Sequence, residues 1–205
     1  KMLDEAGWPE CQISVSNSLD ERLIQNLFLQ GAQIDMFGVG ERMITAKSEP
    51  VFGGVYKLTA VENDKGEIIP KIKCSENVEK ITIPHFKKVY RLYNRDNGKA
   101  IADYMTVHDE VVDENEPLML FDPYATWKTK NVCNFEAREL LVPVFLNGKK
   151  VYQSPTLKDI QAYCKQQVNT LWDEIKRFDN PQTYYVDLSQ KLWDIQQELL
   201  RKNRN

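Results

Sequence analysis

The sequence predicts a mixed fold, α/β at its start and α+β in the remainder. Three observations carry this. Two short apolar runs, at 13–15 and 34–37, flank a helical stripe, and strands joined in that way run parallel. Turn sequences rich in asparagine and glycine (NDKG, NRDNG, NGK) then separate strand-like segments, as antiparallel hairpins require. From residue 154 onward the apolar period becomes helical.

Lys1 to Glu5 read as the tail of a helix, so the chain enters its fold midway, and Ala6 to Pro9 form a loop into the first strand. Ile13, Ser14 and Val15 are that strand. Ser16, Asn17 and Ser18 stand where a helix beginning near Leu19 needs its N-cap. Leu19, Leu23, Ile24, Leu27 and Phe28 make one apolar stripe for packing on a sheet, and Gly31 supplies the stop. Ile34 to Phe37 form the second strand, with Gly38, Val39 and Gly40 as the turn at its carboxyl end.

Parallel strands open their carboxyl ends onto a crevice or barrel mouth where ligands bind. Gly38 and Gly40 let backbone N–H groups approach an anion closely, and a helical turn begun by Glu41 adds a favourable dipole. A lone G-x-G taken by itself reads more readily as a plain structural turn, because the third glycine of a dinucleotide fingerprint is absent. Lys47 and Ser48, in the AKSEP loop, face either a phosphate or solvent.

FGG at 52–54 is a second glycine pair. A strand over 55–62, the NDKG turn and a returning strand over 68–74 make one hairpin. Further strands are predicted at 81–83, 87–93 and 99–107, the last two joined by NRDNG. The run LMLFDPYATWKTKNV reads as one more hairpin, and LVPVFLNGKKVYQ as an edge pair around Asn147 and Gly148. Ser154, Pro155 and Thr156 cap a helix predicted over 157–178, whose buried stripe is Ile160, Tyr163, Cys164, Val168, Leu171, Trp172 and Ile175. Asn180 and Pro181 break it. Asp187 or Ser189 opens a final helix with Leu192, Trp193, Ile195, Leu199 and Leu200 inward, and the tail RKNRN is frayed.

The chain has 205 residues, a net charge of −3 and 28% charged residues, which excludes a basic surplus for nucleic acid. No apolar run has bilayer-spanning length, so a membrane is not expected as partner. Cys11, Cys74, Cys133 and Cys164 contain no C-x-x-C, and the reading favours reduced core thiols in a cytosolic protein over two disulfides. Only His85 and His108 are present, too few for a multi-histidine metal site, so no metal ligand is assigned. Lys87, Lys88, Arg91, Arg95 and Lys99 form a basic cluster, read as the wet face of a hairpin in preference to a phosphate site.

SNSLDE, QGAQIDMFGVGERMIT, PVFGGVYKL, ITIPHFKKVYR and NPQTYYVDLSQKLWDIQQEL together resemble the C-terminal part of nicotinate phosphoribosyltransferase, in the form common in Gram-positive bacteria. FGVG at 37–40 followed by GGVYKL at 53–58 is specific only in combination. The resemblance implies the last strands of a type II phosphoribosyltransferase α/β barrel, with its phosphate loop, over 1–50. It implies an antiparallel region of a second domain over 51–153 and C-terminal helices over 154–205. The N-terminal half of the enzyme lies outside this sequence and is its expected partner, a second copy completing a cytoplasmic homodimer.

The family joins nicotinate to phosphoribosyl pyrophosphate, giving nicotinate mononucleotide and pyrophosphate with ATP hydrolysis, an entry step to NAD. Carried onto this chain, Gly38, Val39 and Gly40 match the loop whose amides bind the product 5′-phosphate. Ser16 and Asn17 sit at the preceding strand end, within reach of the same phosphate or the ribose. Glu41 stands where many members have threonine, and a carboxylate there repels phosphate unless it points away or Mg²⁺ intervenes. Asp20 reads as a helix N-terminal charge, and Lys57 as either an ion-pair partner or a ligand. The resemblance puts the catalytic histidine in the absent half, so neither His85 nor His108 inherits that role. No catalytic residue is expected in this chain. ATP and Mg²⁺ belong to the full enzyme and are not expected to be held here. Two other classes share these features: a different phosphate-binding barrel enzyme, and a non-catalytic interaction module.

Overall fold

The computed structural model describes residues 2–51 and 53–203. Lys1 of the first predicted helix, Phe52 of the FGG pair, and Arg204 and Asn205 of the frayed tail lie outside the described residues. The chain divides between Val55 and Tyr56 into two compact units.

The first unit contains α1 (Met2–Glu5), β1 (Ser14–Ser16), α2 (Glu21–Leu29), β2 (Met36–Gly38) and α3 (Glu41–Ile44). β1 and β2 pair in parallel, with Ser14 opposite Met36, Val15 opposite Phe37 and Ser16 opposite Gly38. The expected N-cap is displaced. α2 starts after Asp20, whose Oδ1 accepts from the Leu23 amide at 2.8 Å, while Asn17 and Ser18 form a tight turn with φ of 96° and 51°. A carboxylate beside the first free amides caps better than a hydroxyl two residues earlier. Gly31 (φ 81°) ends α2 as predicted: its amide bonds the Phe28 carbonyl and the Ala32 amide bonds Leu27, a Schellman closure. Of the apolar stripe, Leu19 is buried and Phe28 meets Phe37 edge-on at 5.5 Å, whereas Leu23 and Phe28 remain exposed because a two-stranded sheet is too narrow to cover them.

The second unit begins with the hairpin β3 (Ala60–Glu62) and β4 (Ile68–Pro70), shorter than predicted. Asn63 Oδ1 closes its turn by accepting from the Lys65 and Glu67 amides. The expected strand at 81–83 does not form. A single 3₁₀ turn, Val78–Lys80, precedes it, and the carbonyls of Ile83, Pro84 and His85 are taken by Lys87 Nζ in place of a neighbouring strand.

β5 (Lys87–Asn94) and β6 (Ala100–Val107) form the predicted long hairpin, followed by β7 (Leu118–Asp122), β8 (Ala125–Val132) and β9 (Phe135–Glu139). β7 pairs with β8, as expected. β10 (Phe145–Leu146) and β11 (Lys149–Lys150) are two-residue strands about Asn147 (φ 49°) and Gly148 (φ 74°), the left-handed pair that this kind of turn demands. α4 (Leu157–Thr170), β12 (Val186–Leu188) and α5 (Gln190–Lys202) complete the chain. The main sheet has the order β12-β6-β5-β9, antiparallel except that β12 runs parallel to β6. β9 begins ahead of the predicted edge segment and β12 was not predicted, because charged residues and a three-residue length hide both.

The core is Leu92, Ala102, Tyr104, Leu120, Val132 and Phe135, with a second cluster of Val107, Leu188 and Leu192. Ser189 caps α5 and its Oγ donates to Glu110 Oε2 at 2.7 Å; that same oxygen accepts from the Val107 amide, which ties α5 to β6.

α4 departs from its prediction twice. It ends at Thr170, not near Phe178, because Lys99 Nζ donates to the carbonyls of Asn169 and Leu171 and stabilises the helix end there. Its predicted buried stripe is exposed at Ile160, Tyr163 and Val168, as is Trp172 beyond its end. Gln167 is the residue that meets the sheet, its Oε1 accepting from Tyr93 and Arg138. All four cysteines are free and exposed, so the expectation of core thiols is corrected while no disulfide forms. Among the described residues, no helix is long and apolar enough to cross a membrane.

Phe135 is fully buried in the main core. Phe135→Ala is expected to lower unfolding stability by about 3–5 kcal/mol, read as a fall in the denaturant midpoint.

Candidate functional site

The carboxyl ends of β1 and β2 border a depression of about 280 Å³, lined by Ser16, Asn17, Ser18, Leu19, Gly38, Gly40, Glu41, Arg42 and Lys47. Its floor depends on close backbone approach. A Cβ at Gly38 would lie 3.0 Å from Ser16 Oγ and 3.2 Å from Ser16 Cβ, so the strand ends could not close over any larger residue without movement. Ser16 Oγ donates to the Gly38 carbonyl at 3.2 Å across the gap. Gly40 is different: a Cβ there meets nothing within 4 Å and would project into open space.

Five of the six residues singled out from sequence, Ser16, Asn17, Gly38, Gly40 and Glu41, line this depression together. Val39 is half-buried between the glycines and does not line it. Asn17 and Ser18 hold left-handed backbone conformations that are unfavourable for residues with a Cβ, a form of strain concentrated at ligand-facing turns. Helix α3 does begin at Glu41, yet it has four residues and one turn, too little to carry an appreciable macrodipole.

Sequence reasoning left two cations unassigned. Lys47 lines the depression and Ser48 does not. Arg42 was not singled out at all. Its guanidinium pairs with Asp20 Oδ2, holding the start of α2 to the start of α3. A signal existed: Asp20 and Arg42 are 22 residues apart, the offset that also pairs Ile13 with Asp35 and Ser16 with Gly38. The charged residues of the lining are thus Arg42, Lys47 and Glu41, with Asp20 engaged behind Arg42.

The basic cluster of the second unit takes a different course from either reading offered for it. Arg91 donates to both oxygens of Asp103 at 2.8 and 3.0 Å, Arg95 reaches the Phe135 carbonyl and Glu114, and Lys87 and Lys99 bond backbone carbonyls. These cations are occupied internally. The hydrogen bond to Asp103 raises the Arg91 pKa, and burial lowers that of Lys87. Tyr184 donates to Asp103 Oδ1 at 2.8 Å, and its own hydroxyl is shifted upward, mostly by burial. Lys57 donates to the Lys80 carbonyl at 2.9 Å.

The rings of His85 and His108 stack at 5.9 Å, with His108 Nδ1 buried and unpaired. Among the described residues no cluster of three or more His, Cys, Asp or Glu side chains is arranged to hold a metal ion.

Asp187 behaves otherwise. Burial first, and the neighbouring Asp122 charge second, raise its carboxyl to about 6. A carboxyl with a raised folded-state pKa favours folding while protonated, so stability is lost as pH climbs from about 4 through 6. Asp187→Asn is expected to remove up to about 3 kcal/mol of that loss, raising the melting temperature at pH 7.5 relative to wild type but not at pH 4.

A family described as the nicotinate phosphoribosyltransferase C-terminal domain matches residues 86–196. The nicotinate phosphoribosyltransferase of Bacillus subtilis is 45% identical over 193 residues, which cover 94% of this chain and 39% of that protein. The Caenorhabditis elegans enzyme of the same name is 33% identical, covering 93% of this chain and 33% of its own length. A crystal structure of human nicotinic acid phosphoribosyltransferase superposes with a TM-score of 0.69 over 97% of this chain and 36% of the human one, at 23% identity, a likeness of fold. The chain thus spans between a third and two fifths of the length of these relatives.

Proposed function

Because the chain belongs to the nicotinate phosphoribosyltransferase family, we propose that it is the C-terminal part of an enzyme joining nicotinate to phosphoribosyl pyrophosphate, with the depression beside Gly38 as its seat for the nucleotide 5′-phosphate. The β1-α2-β2 unit is in this reading the last segment of the enzyme's α/β barrel. One observation carries the site assignment: β1 and β2 end in register at Ser16 and Gly38, opening a depression that bears the side chains of Arg42 and Lys47 and the glycine backbone together.

In the reaction the nicotinate ring nitrogen bonds to the ribosyl carbon as pyrophosphate departs, through a state with cationic character on the sugar. Holding the 5′-phosphate fixes one end of the sugar while charge develops at the other, which supplies orientation and electrostatic stabilisation. Lys47 offers an unshared ammonium to that phosphate, Ser16 and Ser18 can turn their hydroxyls to it from the Gly38 carbonyl and Asn17 Oδ1, and Gly40 leaves its backbone unobstructed. Arg42 contributes with part of its charge already engaged by Asp20. Glu41 also lines the depression, where its charge sets an upper limit on the anionic charge accepted.

ATP hydrolysis supplies the driving force of the family's reaction. A single carboxylate flanked by two cations is a poor donor set for Mg²⁺, so the depression does not fit that ion. In this reading no residue of this chain holds ATP or Mg²⁺, and the nicotinate and pyrophosphate contacts come from the rest of the enzyme or from a second copy in a cytoplasmic homodimer.

Nicotinate mononucleotide at millimolar concentration is expected to raise the melting temperature of the chain, corresponding to about 2.7 kcal/mol at a hundredfold excess over its dissociation constant. Gly40→Val and Lys47→Ala should each abolish the shift, and Lys47→Ala should leave the unliganded melt within about 1 kcal/mol of wild type. A shift that survives both substitutions overturns the site assignment. Turnover assayed with nicotinate, phosphoribosyl pyrophosphate and ATP is expected to be absent for the 205 residues alone, and measurable turnover would refute that part of the reading.

A further inference from the structure

Among the described residues two acids of the second unit are buried, Asp103 and Asp187, and Glu110 is half-buried. Asp103 accepts from Arg91 and Tyr184, and Glu110 accepts from the Val107 amide and Ser189. Asp187 is 5% exposed and accepts a hydrogen bond from no described residue. It lines a pocket of about 210 Å³ between the main sheet and the β7–β8 hairpin, whose walls include Ile101, Ala102 and Leu120. Asp122 lies in the same lining; its Oδ1 already accepts from the Tyr124 and Ala125 amides.

We propose that this pocket is a binding site for a small apolar molecule ending in a primary ammonium group, with Asp187 as its principal partner and Asp122 as a second acceptor. A largely buried residue whose carboxylate accepts from no described donor is poorly compensated, and a ligand that brings positive charge and N–H groups relieves it. The aliphatic walls favour an organic cation over a hydrated metal ion, whose coordinated waters would face apolar carbon there. A primary ammonium has three donors on a compact head, enough to span both acids.

The molecule carries its own competitors. Lys128 and Lys130 of β8 also line the pocket, yet both side chains are exposed and neither bonds Asp187. Tyr104, opposite Asp187 in the β6–β12 register, and Tyr185 are the other titratable groups around it. The pocket shares Ile101, Lys130 and Tyr185 with a neighbouring cleft of about 470 Å³.

The test is an NMR titration of the chain with benzylamine, with benzyl alcohol as the neutral counterpart of similar size. Benzylamine is expected to shift the Ile101, Ala102 and Leu120 methyl signals saturably, binding at least about tenfold more tightly than the alcohol. On saturation the Asp187 carboxyl titration should move down by about one unit or more, as a new cation requires. Asp187→Asn should weaken benzylamine by about tenfold with an unchanged far-UV circular dichroism spectrum. Absence of saturable shifts up to about 10 mM, equal affinity for amine and alcohol, or full affinity in the variant would overturn the proposal. A free-protein carboxyl titrating at or below the ordinary aspartate range would do so as well, since it would mean that Lys128 or Lys130 already occupies the acid. Should the variant not fold, the amine-versus-alcohol comparison and the carboxyl titration in wild type decide the matter.

Discussion

The first unit rests on the close parallel approach of β1 and β2 at their carboxyl ends. Ser16 and Gly38 face each other there with so little room that a single added carbon would reach to 3.0 Å of the serine hydroxyl. Everything else in the candidate site follows from that closure. The offset of 22 residues aligns the two strand ends, anchors the Ile13 amide on Asp35 and brings Arg42 to Asp20. The depression is therefore a product of register more than of any one side chain. Parallel pairing puts two turns side by side, and the small residues in both leave a space between them.

The second unit solves a different problem, that of burying charge within a small antiparallel sheet. Arg91 and Asp103 are cross-strand partners, and the guanidinium also sits 5.6 Å over the ring of Tyr184, whose hydroxyl completes the acid's contacts. Charges held in this way are strong in a partly desolvated setting and costly to separate. They also explain why a run of five basic residues makes no anion site: four of the five heads are spent on carboxylates or carbonyls of the same unit. Against that background the partnerless Asp187 stands out as an exception.

The helices show how amphipathic pattern and packing part company. In α5 the expected inward positions are met, with Leu192 fully buried against Val107 and Leu188. In α4 a weaker stripe stays in solvent, because the helix docks through Gln167 and is stopped by Lys99 from the β5–β6 turn. Periodicity identifies a face that avoids water; it does not say which surface covers that face.

The sequence by itself determined the elements whose signals are local. The β1-α2-β2 order, the glycine stop of α2 and the NRDNG and NGK turns all depend on residues within a few positions of one another, where backbone sterics and capping chemistry act; the same signals leave the start of α5 open between Asp187 and Ser189. Only the tertiary structure decided what depends on distant partners. It moved the cap of α2 to Asp20, which Arg42 also engages, dissolved the predicted strand at 81–83 in favour of Lys87, shortened α4 and added β12 beside β6. It also chose which polar groups would find partners, satisfying Asp103 while Asp187 accepts from no described residue. Such outcomes follow from which groups are brought together when strands pair, and that pairing joins residues tens of positions apart whose complementarity no local pattern records.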